Sequence, residues 1–194
     1  MSAMIDTAGW YSAARILPSP NFNARLPDVV VDLIVLHAIS LPPDQFGGGH
    51  IERFFQNRLE IPAHPYFAEI QHLQVSAHFL IDRAGSVTQF VSTEDRAWHA
   101  GVSCWSAREN CNDFSVGIEL EGTESVPFSE AQYVQCARLC RQLQRRYPQI
   151  RDERIVGHQD VAPGRKWDPG PQFQWDDFRS LLRDSEREQG EGFG

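Results

Sequence analysis

Val29-Val30-Val31-Asp32-Leu33-Ile34-Val35-Leu36-His37 is an almost unbroken apolar run of strand length that stops at an imidazole. Alternating hydrophobicity marks a strand with one wet face, whereas a continuous run such as this marks one buried on both faces, central in an α/β sheet. In open α/β sheets ligands gather at the carboxyl ends of the strands, which is where His37 is expected. A second strand, Phe114-Ser115-Val116-Gly117-Ile118-Glu119-Leu120-Glu121, alternates cleanly. Phe114, Val116, Ile118 and Leu120 are expected on one face, and Ser115, Gly117, Glu119 and Glu121 on the other. Gly117 leaves room above that second face for a group to approach the backbone beside Glu119.

A third stretch runs from Arg154-Ile155-Val156-Gly157-His158 through Asp160-Val161-Ala162-Pro163-Gly164-Arg165-Lys166-Trp167-Asp168-Pro169-Gly170-Pro171. Ile155 and Val156 read as a short buried strand that delivers His158 to its end. The prolines and glycines let the following loop fold back in a stiff conformation, so that His158, Lys166 and Asp168 can converge. Two imidazoles at strand ends and a carboxylate in a rigid loop make a plausible zinc set: His37, His158 and Asp168. Three protein ligands leave the fourth tetrahedral position for water, the pattern of a catalytic Zn2+ site. Hydrolysis also needs a base and a charge stabiliser. Glu119 is the candidate base, with Glu121 as a rival on the same face. Lys166 is the candidate donor to a developing oxyanion, with Arg165 as its rival.

Around these stretches the chain reads as one α/β domain over residues 1–183, followed by a disordered tail over residues 184–194. A short helix is expected near Gly9–Arg15, another over His50–Arg58, and long groove-lining connections at Leu41–Gly49 and Glu60–Gln74. A hairpin joins Ala77–Ile81 to Val87–Val91. A helix starts at a Ser129/Gln132 capping box and stops before Pro148, and a last amphipathic helix covers Trp175–Arg183. The net charge of -8 over 194 residues argues against nucleic acid or an anionic membrane as partner. No apolar run reaches the roughly 20 residues of a membrane span. Met1–Thr7 carries neither a basic start nor an apolar stretch, so no export signal is expected and the cytoplasm is the expected compartment. Cys104, Cys111, Cys136 and Cys140 form no C-x-x-C pair and read as reduced core thiols.

The motifs together resemble the type 2 N-acetylmuramoyl-L-alanine amidases, and within them the cytoplasmic branch. They include Pro18-Ser19-Pro20-Asn21-Phe22, Leu36-His37-Ala38-Ile39-Ser40-Leu41-Pro42-Pro43, His64-Pro65-Tyr66-Phe67 and Ser76-Ala77-His78-Phe79. Further on come Trp98-His99-Ala100-Gly101, Cys111-Asn112-Asp113-Phe114-Ser115, Gly117-Ile118-Glu119-Leu120-Glu121-Gly122-Thr123 and the loop from His158 to Pro171. The resemblance implies a single domain with a mixed central β-sheet flanked by helices, as in phage-type amidases and peptidoglycan recognition proteins. It places the metal ligands on His37, His158 and Asp168, the catalytic carboxylate on Glu119 and the lysine on Lys166, in preference to Glu121 and Arg165. Trp98, His99 and Ala100 correspond to the substrate-groove wall, and Arg108 to a contact for the substrate's carboxylate. It departs from the family pattern at Ala38, Gln74, Asn110 and Trp167. The expected substrate is a soluble (1,6-anhydro-)muropeptide, cleaved by a monomer during peptidoglycan recycling. A non-catalytic binding module would be expected to lose a ligand, and a wall-acting amidase to carry an export signal or a partner domain.

Overall fold

The computed structural model describes residues 3–190. In chain order the strands are β1 (Arg15–Ile16), β2 (Phe22–Ala24), β3 (Leu33–Ile39), β4 (Phe79–Ile81), β5 (Val87–Gln89), β6 (Asp95–Ala97), β7 (Cys104–Trp105), β8 (Arg108–Glu109), β9 (Ser115–Glu121) and β10 (Ile155–Gly157). The helices are α1 (His50–Phe55), α2 (Pro65–Ile70), α3 (Glu130–Arg146), α4 (His158–Val161) and α5 (Trp175–Gly190). Six strands form the main sheet in the order β1-β5-β4-β9-β3-β10. The four strands β4, β9, β3 and β10 run parallel, while β5 is antiparallel to β4, so the sheet is mixed. The pairs β2–β6 and β7–β8 are separate antiparallel ribbons.

Strand alternation decides what each face carries. Ile34 and Leu36 of β3 and Val116, Ile118 and Leu120 of β9 point into the core built with α3 and α5, all five fully buried. The opposite face of β3 carries Leu33, Val35 and then His37, and that of β9 carries Ser115, Gly117, Glu119 and Glu121. Helix α3 begins at a complete capping box in which the Ser129 hydroxyl accepts from the Gln132 N–H and the Gln132 side chain accepts from the Ser129 N–H. Such a cap contributes about 1 kcal/mol. The hairpin turn between β4 and β5 is closed by Asp82, whose carboxylate accepts from Ala84 and Ser86 N–H, with Gly85 at φ +81°.

Several boundaries differ from the expectation. β3 starts at Leu33 and continues to Ile39, because β9 offers a partner at every position through Glu121; His37 therefore lies inside the strand. Phe114 does not join the β9 face: it ends a 3-10 turn (φ -123°, ψ 12°) and packs with Leu33 and Val35 instead. No helix forms near Gly9–Arg15, where a bridge between Ile5 and Tyr11 closes a turn. The Glu60–Gln74 connection holds α2, which Pro65 opens at a first-turn position where its missing N–H costs nothing, while the His64 imidazole caps Tyr66 N–H. Helix α5 continues beyond Arg183 to Gly190, so residues 184–190 of the expected tail are helical; Ser185 folds its hydroxyl back onto the Leu181 carbonyl. Residues 191–194 lie outside the described residues. Cys111, Cys136 and Cys140 are buried free thiols, as expected of core cysteines, but Cys104 is exposed on β7.

Candidate metal centre and groove

At the carboxyl end of the sheet, His37 of β3 and Glu119 of β9 are paired in register, and His158 opens α4 immediately after β10. The loop after α4 brings back Asp168. Its Lys166 N–H donates to the Ala162 carbonyl, Gln159 N–H donates to the Asp168 carbonyl, and the Asp160 carboxylate accepts from Gly157 N–H. Gly164 and Gly170 adopt left-handed conformations within it (φ +74° and +77°) that side-chain-bearing residues rarely take.

His37 Nδ1, His158 Nδ1 and Asp168 Oδ2 form a buried triangle with edges of 2.9 to 3.2 Å. The His158 Nε2 lies 3.0 Å from the Ala100 carbonyl, which only accepts, so Nε2 carries the proton and Nδ1 turns a lone pair into the triangle. Converging lone pairs and a carboxylate repel unless a cation joins them. Zn–N distances of about 2.0–2.1 Å give tetrahedral edges of roughly 3.3 Å, close to the edges observed, so the donor set fits zinc. Burial favours the neutral form of His37 and holds its pKa at about 4, and burial with the neighbouring imidazoles holds His99 well below its usual value. Burial alone would raise the Asp168 carboxyl, but the neighbouring His158 and His37 outweigh it and keep the group below the usual carboxylate range.

Two pairs of candidate residues are separated by their partners. The Glu121 carboxylate accepts from the backbone N–H groups of Gly47 and Arg83. Glu119 is equally buried, yet its Oε2 has no partner among the described residues. Burial, reinforced by Asp168, raises the Glu119 pKa well above the ordinary value, while Lys166 pulls it down. The Arg165 guanidinium donates to the carbonyls of Ala100 and Val102, tying the loop down. The Lys166 ammonium has no hydrogen-bond partner among the described residues and faces the same groove as Glu119, His37, His158 and Asp168. A partnerless buried carboxylate calls for an explanation, and a reacting ligand supplies one.

The groove encloses about 470 Å³. Leu41, Pro43 and Asp44 line it from one connection and Tyr66, Ile70 and Leu73 from the other, as the expectation for both connections had it. Trp98 and His99 line it too, and so does Trp167, half-exposed beside Lys166. Trp98 is held by an indole N–H donated to Asn23 and by Ser76, whose hydroxyl accepts the Trp98 N–H. Two expectations need correction. Ala100 is fully buried and does not line the groove; its carbonyl orients His158 instead. Arg108 lies on β8, where it pairs with Asp32 at 2.7 Å and stacks over the Phe114 ring at 3.7 Å. Asp32 precedes the first residue of β3, the end of the sheet remote from His37, so Arg108 does not reach the groove. Asn112 and Ser115 were missed as positioning groups. The Asn112 side-chain oxygen accepts from both His99 and Ala100 N–H (3.1 and 2.8 Å), which fixes the turn carrying the groove wall. A polar residue on the site face of a strand was the only signal for Ser115.

Beneath the site, His78 is fully buried and neutral. Its Nδ1 accepts from Gly117 N–H at 3.0 Å, and burial, with Arg25 nearby, lowers its pKa to about 3. The unfolded chain takes up this proton below about 6.5, whereas the folded chain does not until about 3, so stability falls as pH drops through that window. Between pH 7 and pH 5 this group alone should remove roughly 2 kcal/mol from the metal-free protein. Urea unfolding of His78→Asn, which keeps an acceptor for Gly117, should show that much less pH dependence. An unchanged slope would contradict the assignment.

Residues 27–171 match the N-acetylmuramoyl-L-alanine amidase family, Amidase_2. The chain is 50% identical over 179 residues to the 1,6-anhydro-N-acetylmuramyl-L-alanine amidase AmpD of Escherichia coli K12, covering 92% of this chain and 97% of that protein. The crystal structure of an AmpD derivative superposes with a TM-score of 0.89 at 50% identity, over 92% of this chain and 99% of the other. A complex of E. coli AmiD with anhydro-N-acetylmuramic acid-L-Ala-D-γ-Glu-L-Lys gives a TM-score of 0.58 at 26% identity, over 92% of this chain and 65% of AmiD. With its mixed sheet, its His-His-Asp triangle and this match across most of its length, the chain belongs to the N-acetylmuramoyl-L-alanine amidase family.

Proposed function

We propose that this amidase uses zinc to cleave the amide between the lactyl group of 1,6-anhydro-N-acetylmuramic acid and the L-alanine of soluble muropeptides, in the cytoplasm, as a step of peptidoglycan recycling. The observation that carries the reading is the partnerless, buried Glu119 carboxyl beside the His37–His158–Asp168 triangle, with Lys166 in the same groove. It is supported by AmpD, whose name carries the anhydro-muramyl substrate, and by AmiD, solved with such a ligand. No helix among the described residues is long and apolar enough to cross a membrane.

His37, His158 and Asp168 would hold the metal. Zinc, when bound, supplies Lewis acidity at the scissile carbonyl and brings the pKa of a water to near neutrality. Glu119 takes the proton of the attacking water as its oxygen adds to the carbonyl carbon. The same carboxyl returns that proton to the alanine nitrogen as the C–N bond breaks, giving a muramic carboxylic acid and a free peptide amine. Its raised pKa suits a group that must both accept and release a proton near neutrality. Lys166 donates to the carbonyl oxygen as negative charge develops there, and its lack of a competing partner leaves it free to do so.

The test is incubation with purified anhydro-muramyl tripeptide, with and without chelator, followed by mass spectrometry. The expected products are the anhydro-sugar acid and the tripeptide, absent with chelator and restored by zinc; insoluble sacculi should be cleaved far more slowly. Intact tripeptide substrate, or equal rates on sacculi, would contradict the proposal. Lys166→Ala should lower kcat by about 10²–10³-fold with zinc content unchanged. Arg165→Ala removes the tether to Ala100 and Val102, so its effect should fall on stability. Parent-like turnover in Lys166→Ala would remove the lysine from the mechanism.

A further inference from the structure

His99 stands directly behind the metal ligand His37. Its Nδ1 lies 3.0 Å from His37 Nε2, and its Nε2 lies 3.3 Å from the Ser115 hydroxyl oxygen. The Ser115 hydroxyl donates to the Cys111 carbonyl at 2.5 Å, so its proton is committed and its oxygen presents a lone pair to His99. His99 must then carry its proton on Nε2, which leaves Nδ1 as an acceptor. The alternative, a doubly protonated ring, would bury a cation with no carboxylate hydrogen-bonded to it among the described residues. An accepting Nδ1 requires His37 to protonate Nε2, and that turns the His37 Nδ1 lone pair toward His158 and Asp168.

The ring can occupy this place only because residue 117 is glycine. A Cβ there would lie 2.4 Å from the His99 ring, and Gly117 sits on the site face of β9 between Ser115 and Glu119. The turn at residues 98–100 is itself fixed by Asn112.

We propose that His99, held by Ser115, is a positioning residue that sets the tautomer of His37 and so prepares the site for zinc; this rests on the metal reading above. Its placement on the groove wall is thus joined to a second task, played out behind the ligand rather than on the substrate. Groups that orient a metal-bound histidine typically account for 10–100-fold in metal affinity.

The experiment measures zinc affinity by chelator competition in the parent, His99→Phe, His99→Asn and Ser115→Ala, with folding of each metal-free form checked by circular dichroism. Phenylalanine keeps the ring and loses both nitrogens, and should weaken zinc binding by about 10–100-fold. Asparagine places an oxygen where Nδ1 stood and should recover most of that loss, which a purely space-filling role for His99 would not predict. In the metal-free parent, imidazole 15N shifts should show His37 protonated at Nε2, and this preference should be lost in His99→Phe. Should His99→Phe not fold, Ser115→Ala decides, with weaker binding expected in the same direction. Parent-like affinity in the folded variants would overturn the inference and leave the metal reading standing. A parent that binds no zinc would overturn both.

Discussion

Asp168→Ala should fold, bind little zinc and lose turnover on anhydro-muropeptides. Asp168 supplies the one carboxylate of the triangle, and removing it leaves two neutral imidazoles. Two ligands are too few to hold an open zinc site, and the ion loses the one carboxylate of its ligand set. Thermal unfolding checks this without reference to activity. A ligand that binds only the folded state stabilises it by mass action, so chelator should lower the parent's Tm and leave that of Asp168→Ala unmoved. A variant that keeps full zinc and the same chelator response would show that the metal, if held, is held elsewhere.

Glu119→Gln is the second large effect. The amide has the shape of the carboxyl but cannot take a proton from water, so activity should fall by about 10²–10⁴-fold with zinc retained. Glu121→Gln is the instructive companion. Its carboxylate is an acceptor for the Gly47 and Arg83 N–H groups, so its loss should be felt in stability, on the order of 1–3 kcal/mol, with turnover per folded molecule near the parent's. Single-turnover rates normalised to folded, zinc-loaded protein separate the two. A reversal of the pair would mean that Glu121, not Glu119, handles the proton.

The convergence of His37, His158 and Asp168 was legible because they sit where simple patterns end: His37 closes an apolar run, His158 follows Ile155-Val156, and Asp168 lies among prolines. The choice between Glu119 and Glu121, or between Lys166 and Arg165, was not visible in the residues alone. They share a face or a loop, and what separates them is whether a distant backbone group claims the side chain. Arg108 failed for a related reason: the partner that claims it, Asp32, is 76 residues away in the chain. Helix α2 was hidden because Pro65 reads as a breaker unless the helix is known to start there. The extension of α5 was hidden because the apolar periodicity stops near Leu182, while the backbone ladder carries on without it.

The pairing of His37 with Glu119 across β3 and β9 has a bearing on which changes the protein can absorb. Their Cα atoms are register partners in a parallel ladder, so a strand spacing of about 4.8 Å, a property of peptide hydrogen bonding, separates them. The spacing between His37 and Glu119 is therefore written in the backbone and is largely indifferent to how the surrounding side chains pack. Drift in core volume should be forgiven by the chemistry even where it lowers stability. A single inserted residue early in β9 would not be forgiven. It would advance the ladder by one step, turn Glu119 into the core and bring Ile118 or its like to face the His37–His158–Asp168 triangle, because the two faces of a strand exchange at every residue. The length of these two strands should thus hardly vary, whereas connections that carry no groove residue can change more freely.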